Sequence, residues 1–134
     1  MDNNVIKNLA LALCTKGQEQ HLRGDIEDAI KCYTASLGLY PTAEAYTFRG
    51  WAYSLRGRLD EAIEECKKAI AWLEKAKTAP RYESRHFPCM NLGRIYAQKG
   101  IMLRAIREFE AALEIHPEEP TCHAALAELR GAWK

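Results

Sequence analysis

A surplus of charge of either sign is missing from this sequence. Its 19 lysines and arginines face 18 aspartates and glutamates, for a net charge of +1. Without a basic excess there is no electrostatic footprint for nucleic acid, and without an acidic block there is no solvated tail. Long apolar runs are missing too. The stretch Ala10 to Cys14 is far short of the roughly 20 residues a membrane helix needs. The opening MDNNVIKNLALALC puts an acid where a secretory leader carries positive charge. A cytoplasmic chain with no membrane insertion is expected. Paired cysteines are absent: the count is five, and no two stand in C-x-x-C spacing. This argues against a disulfide framework and a zinc ribbon, and unpaired thiols fit a reducing compartment. There is no phosphate-cradling G-x-x-x-x-G-K-[ST] and no spacing that supports a Ser-His-Asp or Cys-His pair. His116, Cys122 and His123 stand near one turn, but at no common metal spacing. Asp60-Glu61 and Glu64-Glu65 read as a solvated helix face rather than acid-base pairs. The expectation is therefore no catalysis, no cofactor and no metal.

What is present is an ordinary globular composition, 48% apolar and 28% charged over 134 residues, enough for one domain with a core. Its ordering is not ordinary. From Gly93, the steps to Gly100, Ala105, Phe109, Ala112 and Pro117 form a ladder. The ladder recurs at Gly50, Gly57, Ala62, Cys66 and Ala69, and at Gly17, Gly24, Ala29, Tyr33, Ser36 and Pro41. Cys66 falls in the slot of Tyr33 and Phe109, a buried position where a thiol acts as a small hydrophobe.

Helical periodicity fits the ladder. Helices are expected over about 4–22, 26–39, 42–56, 59–77, from Tyr82 or Pro88 to Lys99, 102–115 and 121–132. Asp25 is placed to cap the second, and Pro41 stops it. Ala29 to Ala62 is 33 residues, whereas Ala62 to Ala105 is 43. The surplus lies around Trp72 to Arg85, where Thr78-Ala79-Pro80 closes the segment in place of the missing proline. The fourth helix, and with it the fifth, is expected to run about a turn longer than its counterparts. Glu64 is placed to pair with Lys67 and Lys68. The last helix has half the pattern, as a capping element of a repeat array does.

The spacing resembles the tetratricopeptide repeat, a helix-turn-helix unit of about 34 residues. The third copy is the closest, with Leu92-Gly93, Tyr96, Gly100, Ala105, Phe109, Ala112 and Pro117. The second keeps Tyr46, Gly50, Tyr53, Gly57, Ala62 and Ala69, and the first has Gln20 where an aromatic is usual. The resemblance implies an all-α, right-handed superhelical array filling one domain over 1–134. Its repeats would span about 10–42, 43–77 and 86–119, with a capping helix over about 120–133. Gly93 and Ala105 would let paired helices approach, and Tyr33 and Phe109 would fill the gap between neighbouring units.

In that family the first helix of each repeat lines the concave side. The resemblance then points to a peptide-binding groove of Leu11, Cys14, Gln18, Phe48, Trp51, Phe87, Met90, Asn91, Arg94 and Gln98. His21, Glu44, Thr47 and Ser54 stand nearby. One branch of the family clamps the acidic C-terminus of large heat-shock chaperones with two lysines, two asparagines and an arginine. Here those five positions hold Cys14, Gln18, Phe48, Phe87 and Asn91, so that partner is not expected. The remaining side chains are largely apolar, of the kinds enriched at binding hot spots. The function expected is non-catalytic binding of an apolar or amphipathic peptide segment by an adaptor, scaffold or small chaperone. Two alternatives stand beside it. One is self-association into a homo-oligomer through the same groove, with Trp133 as an anchor. The other is a secretion-type chaperone for one hydrophobic client.

Overall fold

The computed structural model describes residues 2–76 and 85–132, and among these it is helical with no strand. The order is α1 (Asn3–Arg23), α2 (Ile26–Leu39), α3 (Ala43–Leu55), α4 (Leu59–Ala76), α5 (His86–Gln98), α6 (Met102–Ile115) and α7 (Pro120–Ala132). The expected positions Lys77, Thr78, Ala79, Pro80, Arg81, Tyr82 and Trp133 lie outside the described residues. Two compact units divide the chain, residues 1–69 and 70–134, the division falling within α4. In the first, α1 packs on α2, α2 on α3, and α1 also meets α3; in the second, α5 packs on α6 and α6 on α7.

The turn inside each helix pair is built the same way three times. Gly24, Gly57 and Gly100 have φ of 87, 75 and 79°, a region that glycine enters without a Cβ penalty. Behind each glycine the next N–H reaches back over the helix end. Asp25 N donates to Gln20 O, Arg58 N to Tyr53 O, and Ile101 N to Tyr96 O, each at 2.9 Å. This satisfies carbonyls a helix end leaves open and reverses the chain. Asp25 does occupy the N-cap of α2, but its side chain makes no cap hydrogen bond. Side chains that do cap are Asp2 on α1, Thr42 on α3, whose Oγ1 accepts from Ala45 N at 3.2 Å, and Glu119 before α7, whose Oε1 accepts from Thr121 N at 3.2 Å.

The other glycine of each rung sets how closely two helices approach. A Cβ on Gly17 would stand 2.6 Å from Tyr33 Cε1, and one on Gly93 would stand 2.8 Å from Phe109 Cε2. Tyr33 and Phe109 thus lie first against the glycine of their own helix pair, not simply between repeats. Tyr33 does both, since it also stacks on Phe48 of α3 at 6.0 Å. At Gly50 the nearest atoms are Ala62 O, Cys66 Sγ and Glu65 Cβ, all at 3.2 Å. Ala29, Ala62 and Ala105, the small rungs of the second helices, are fully buried.

Helix α4 has 18 residues against 14 in α2 and α6, about one turn more, as the wider spacing predicts. Helix α5 is not lengthened: it has 13 residues, like α3. Glu65 departs from the solvated face expected of it. It is 4% exposed, and both its carboxylate oxygens accept from Arg49, Nε and Nη2 each at 2.8 Å. Lys68 pairs with Glu65 at 3.6 Å rather than with Glu64, which takes Lys67 at 3.9 Å.

Candidate functional site

In the first unit the α1 and α3 positions come together around an aromatic column. Helix α1 is fixed against α2 by the Gly17–Tyr33 contact and by Ser36 Oγ, which donates to Ala10 O at 2.6 Å. That fixes where Cys14, Gln18 and His21 stand. The His21 imidazole is buried, with Nδ1 3.2 Å from the Tyr33 hydroxyl and its ring 4.4 Å from Trp51. Phe48 stacks on Tyr33. Burial pushes the Tyr33 phenol well above its ordinary value, so the hydroxyl keeps its proton and can donate it to Nδ1. Burial likewise lowers His21, holding it neutral. The other ring nitrogen, Nε2, is buried without a hydrogen-bond partner.

Phe48 and Trp51 are half-buried, each with one face on this column. Leu11 is 45% exposed. Cys14, by contrast, is interior. Burial raises its thiol; the hydrogen bond from Gln18 Nε2, at 3.7 Å, opposes that, and the nearby Glu44 carboxylate adds to the rise. Its contribution is a packed floor rather than an open contact. Gln18 is half-buried through the same bond, and Glu44 is exposed.

In the second unit the same register on α5 alternates more sharply. Phe87 is 54% exposed, its ring 4.0 Å from His86, which is in turn 5.0 Å from His116. Met90 and Asn91 are buried, and Arg94 and Gln98 are exposed. Met90 and Asn91 are therefore interior, as Cys14 is in the first unit. Arg94 stands close enough to Cys122 to lower its thiol, against the larger effect of burial and that of Glu119. Burial and Glu108 push Cys89 up to about 12. No described cysteine is in a disulfide. Neither His21 nor His86 stands alone, although the sequence shows no partner for either. His123 Nε2 lies 2.7 Å from Pro117 O, and no group of three potential metal ligands stands together among the described residues. No described helix is long and apolar enough to cross a membrane.

Sequence comparison matches the family described as tetratricopeptide repeat at residues 22–80 and again at 88–119, together about two thirds of the chain. A curated relative, sperm-associated antigen 1 of Rattus norvegicus, is 29% identical over 122 residues, covering 85% of this chain. The chain spans only 12% of that relative's length. The first such domain of human RPAP3 superposes with a TM-score of 0.83 at 23% identity, covering 95% of this chain and 94% of that one. The first such domain of Spaghetti (RPAP3), bound to the HSP90 peptide SRMEEVD, superposes at 0.82 and 23%, with the same coverage.

Proposed function

The chain belongs to the tetratricopeptide repeat family, and on that footing we propose that it is a non-catalytic protein-interaction module. It takes an apolar or amphipathic peptide segment on the first-helix faces of its units. The observation that carries this reading is the exposure of Leu11, with Phe48 and Trp51 half open, in the first unit and of Phe87 in the second. Large apolar side chains left open on the face that family members use for ligands cost solvation unless a partner covers them. In the first unit Gln18 supplies a polar contact over the floor of Cys14; in the second Arg94 and Gln98 do so over Met90 and Asn91.

The same residues argue against an acidic chain end of the SRMEEVD type. At the five positions that would clamp a carboxylate stand Cys14, Gln18 and Phe48 in the first unit and Phe87 and Asn91 in the second, none of them a cation. A desolvated charge without a partner costs several kcal/mol, about 3–5 in buried pairs that lose one member. The chain therefore shares the fold of chaperone-tail binders without their ligand chemistry. Five thiols without disulfides suit a reducing compartment such as the cytoplasm.

The test is an affinity capture from native extract with wild type beside a Phe48→Asp, Phe87→Asp double variant, both checked by circular dichroism. A partner held by wild type and lost by the folded variant supports the reading. A partner held equally by both refutes it. Loss of helix in the variant assigns those rings to the core instead. Copies of the chain itself among the captured species mark self-association through this face.

A further inference from the structure

The face of the first unit carries a charge pattern that narrows its partner. Five ionic side chains and one histidine on α1 and α3 are already engaged or lie elsewhere. Lys7 sits over the Tyr40 ring at 5.9 Å. Lys16, Glu19 and Arg23 line a shallow hollow with Ala12, Thr15 and Gln20, positions on α1 that do not include Leu11, Cys14 or Gln18. Arg49 is held by Glu65. His21 is buried in the aromatic column. Lys7, one turn before Leu11, is turned to Tyr40, and on α3 this leaves Glu44 as the charge one turn before Phe48 and two before Trp51. It is exposed, and its field reaches the Cys14 thiol.

We propose that the segment bound on the α1/α3 face sets a lysine or arginine against Glu44 while its apolar side chains cover Leu11, Phe48 and Trp51. This inference rests on the peptide-binding reading above and adds the sign of the partner's charge. A long basic side chain suits such a surface in both its parts. Its methylene stem covers apolar area while its head stays at the wet edge, where the Glu44 carboxylate attracts a cation. An acidic segment set against Glu44 meets repulsion, and Arg49, the cation of α3, is already held by Glu65. Complementary charge at a rim favours the matched partner chiefly by excluding the wrong one. A first-turn glutamate also stabilises its own helix through the helix dipole, but that role gives no preference between peptides of different charge.

The experiment uses the full chain with Trp72 and Trp133 changed to phenylalanine, so that Trp51 fluorescence alone reports. Three amphipathic peptides share one apolar pattern and carry Lys, Gln or Glu at one matched position. The Lys peptide is expected to bind about fivefold more tightly than the Gln peptide, the size of a modest, partly screened ion pair. E44Q is expected to bring that ratio to about one, and E44K to invert it. If the peptides bind but the Lys-to-Gln ratio is one in wild type, or survives E44Q, the charge inference is overturned while the apolar reading stands. If the Glu peptide binds most tightly to wild type, the inference is likewise overturned. If none of the three binds, both fall together.

Discussion

Two helix pairs of the first unit solve one packing problem in different ways. In α1/α2 the glycine is covered by a large ring, Tyr33; in α3/α4 it is covered by the sulfur of Cys66. Both slots are fully buried, so the difference is one of volume and not of exposure. The smaller pair has a tie the larger one lacks, the bidentate Arg49–Glu65 bridge, with Thr34 Oγ1 3.2 Å from Arg49 Nη1. The second unit returns to a ring, Phe109 over Gly93. The ladder of small residues sets how close the helices come. What then holds them is a separate choice, ring packing in two pairs and a sheltered ion pair in the third.

The comparison can be broken at its strongest points first. Phe109→Ala is expected to cost about 3–5 kcal/mol and Cys66→Ala about 1 kcal/mol, because the cavities differ in size. Urea unfolding of the two variants measures this, and equal losses would show that the slots are equivalent. Arg49→Ala is expected to cost about 3 kcal/mol, since it strands a carboxylate that is only 5% exposed. Lys68 offers partial relief, so Arg49→Ala combined with Lys68→Ala should lose more than the sum of the two single changes. Gly93→Ala and Gly17→Ala should each lose about 1–3 kcal/mol through overpacking against a ring. Gly50→Ala should change stability little. Its tighter contacts at 3.2 Å are offset by the helix propensity of alanine, about 1 kcal/mol over glycine.

The smallest effect expected is a pH dependence confined to the aromatic column. Burial holds folded His21 below its ordinary 6.5. As pH falls, the unfolded chain therefore binds its proton before the folded one does. The contribution of neutral His21 is complete at about pH 7.5, begins to be lost near 6.5 and goes on falling towards the folded value. Between pH 7.5 and 5.5 the wild-type melting temperature should drop further than that of His21→Gln. An equal drop would place the proton uptake elsewhere.

The framework was legible because each rung of the ladder has a local cause. A glycine seven residues from another glycine marks a close approach followed by a turn, and the 43-residue spacing foretold the longer α4. The site was legible only by register. Neighbouring helix positions differ by about 100° in direction, so a stripe of candidates mixes floor and rim. Leu11 and Phe87 proved open, while Cys14, Met90 and Asn91 proved interior. Glu65 misled because its run, Glu61-Glu64-Glu65, has the composition of a solvated face. Only its pairing with Arg49, sixteen residues earlier, takes it inside. His21 misled for the same reason, since its partners Tyr33 and Trp51 are distant in sequence.

The central claim is that this repeat scaffold carries a face for apolar segments and not for acidic chain ends. Isothermal titration of the unmodified chain tests it directly, once with the peptide SRMEEVD and once with the uncharged amphipathic peptide. The account predicts saturable binding of the amphipathic peptide and none of SRMEEVD. Saturable binding of SRMEEVD with none of the amphipathic peptide would contradict it, and would mean that the five uncharged side chains at the clamp positions do not decide what this face accepts.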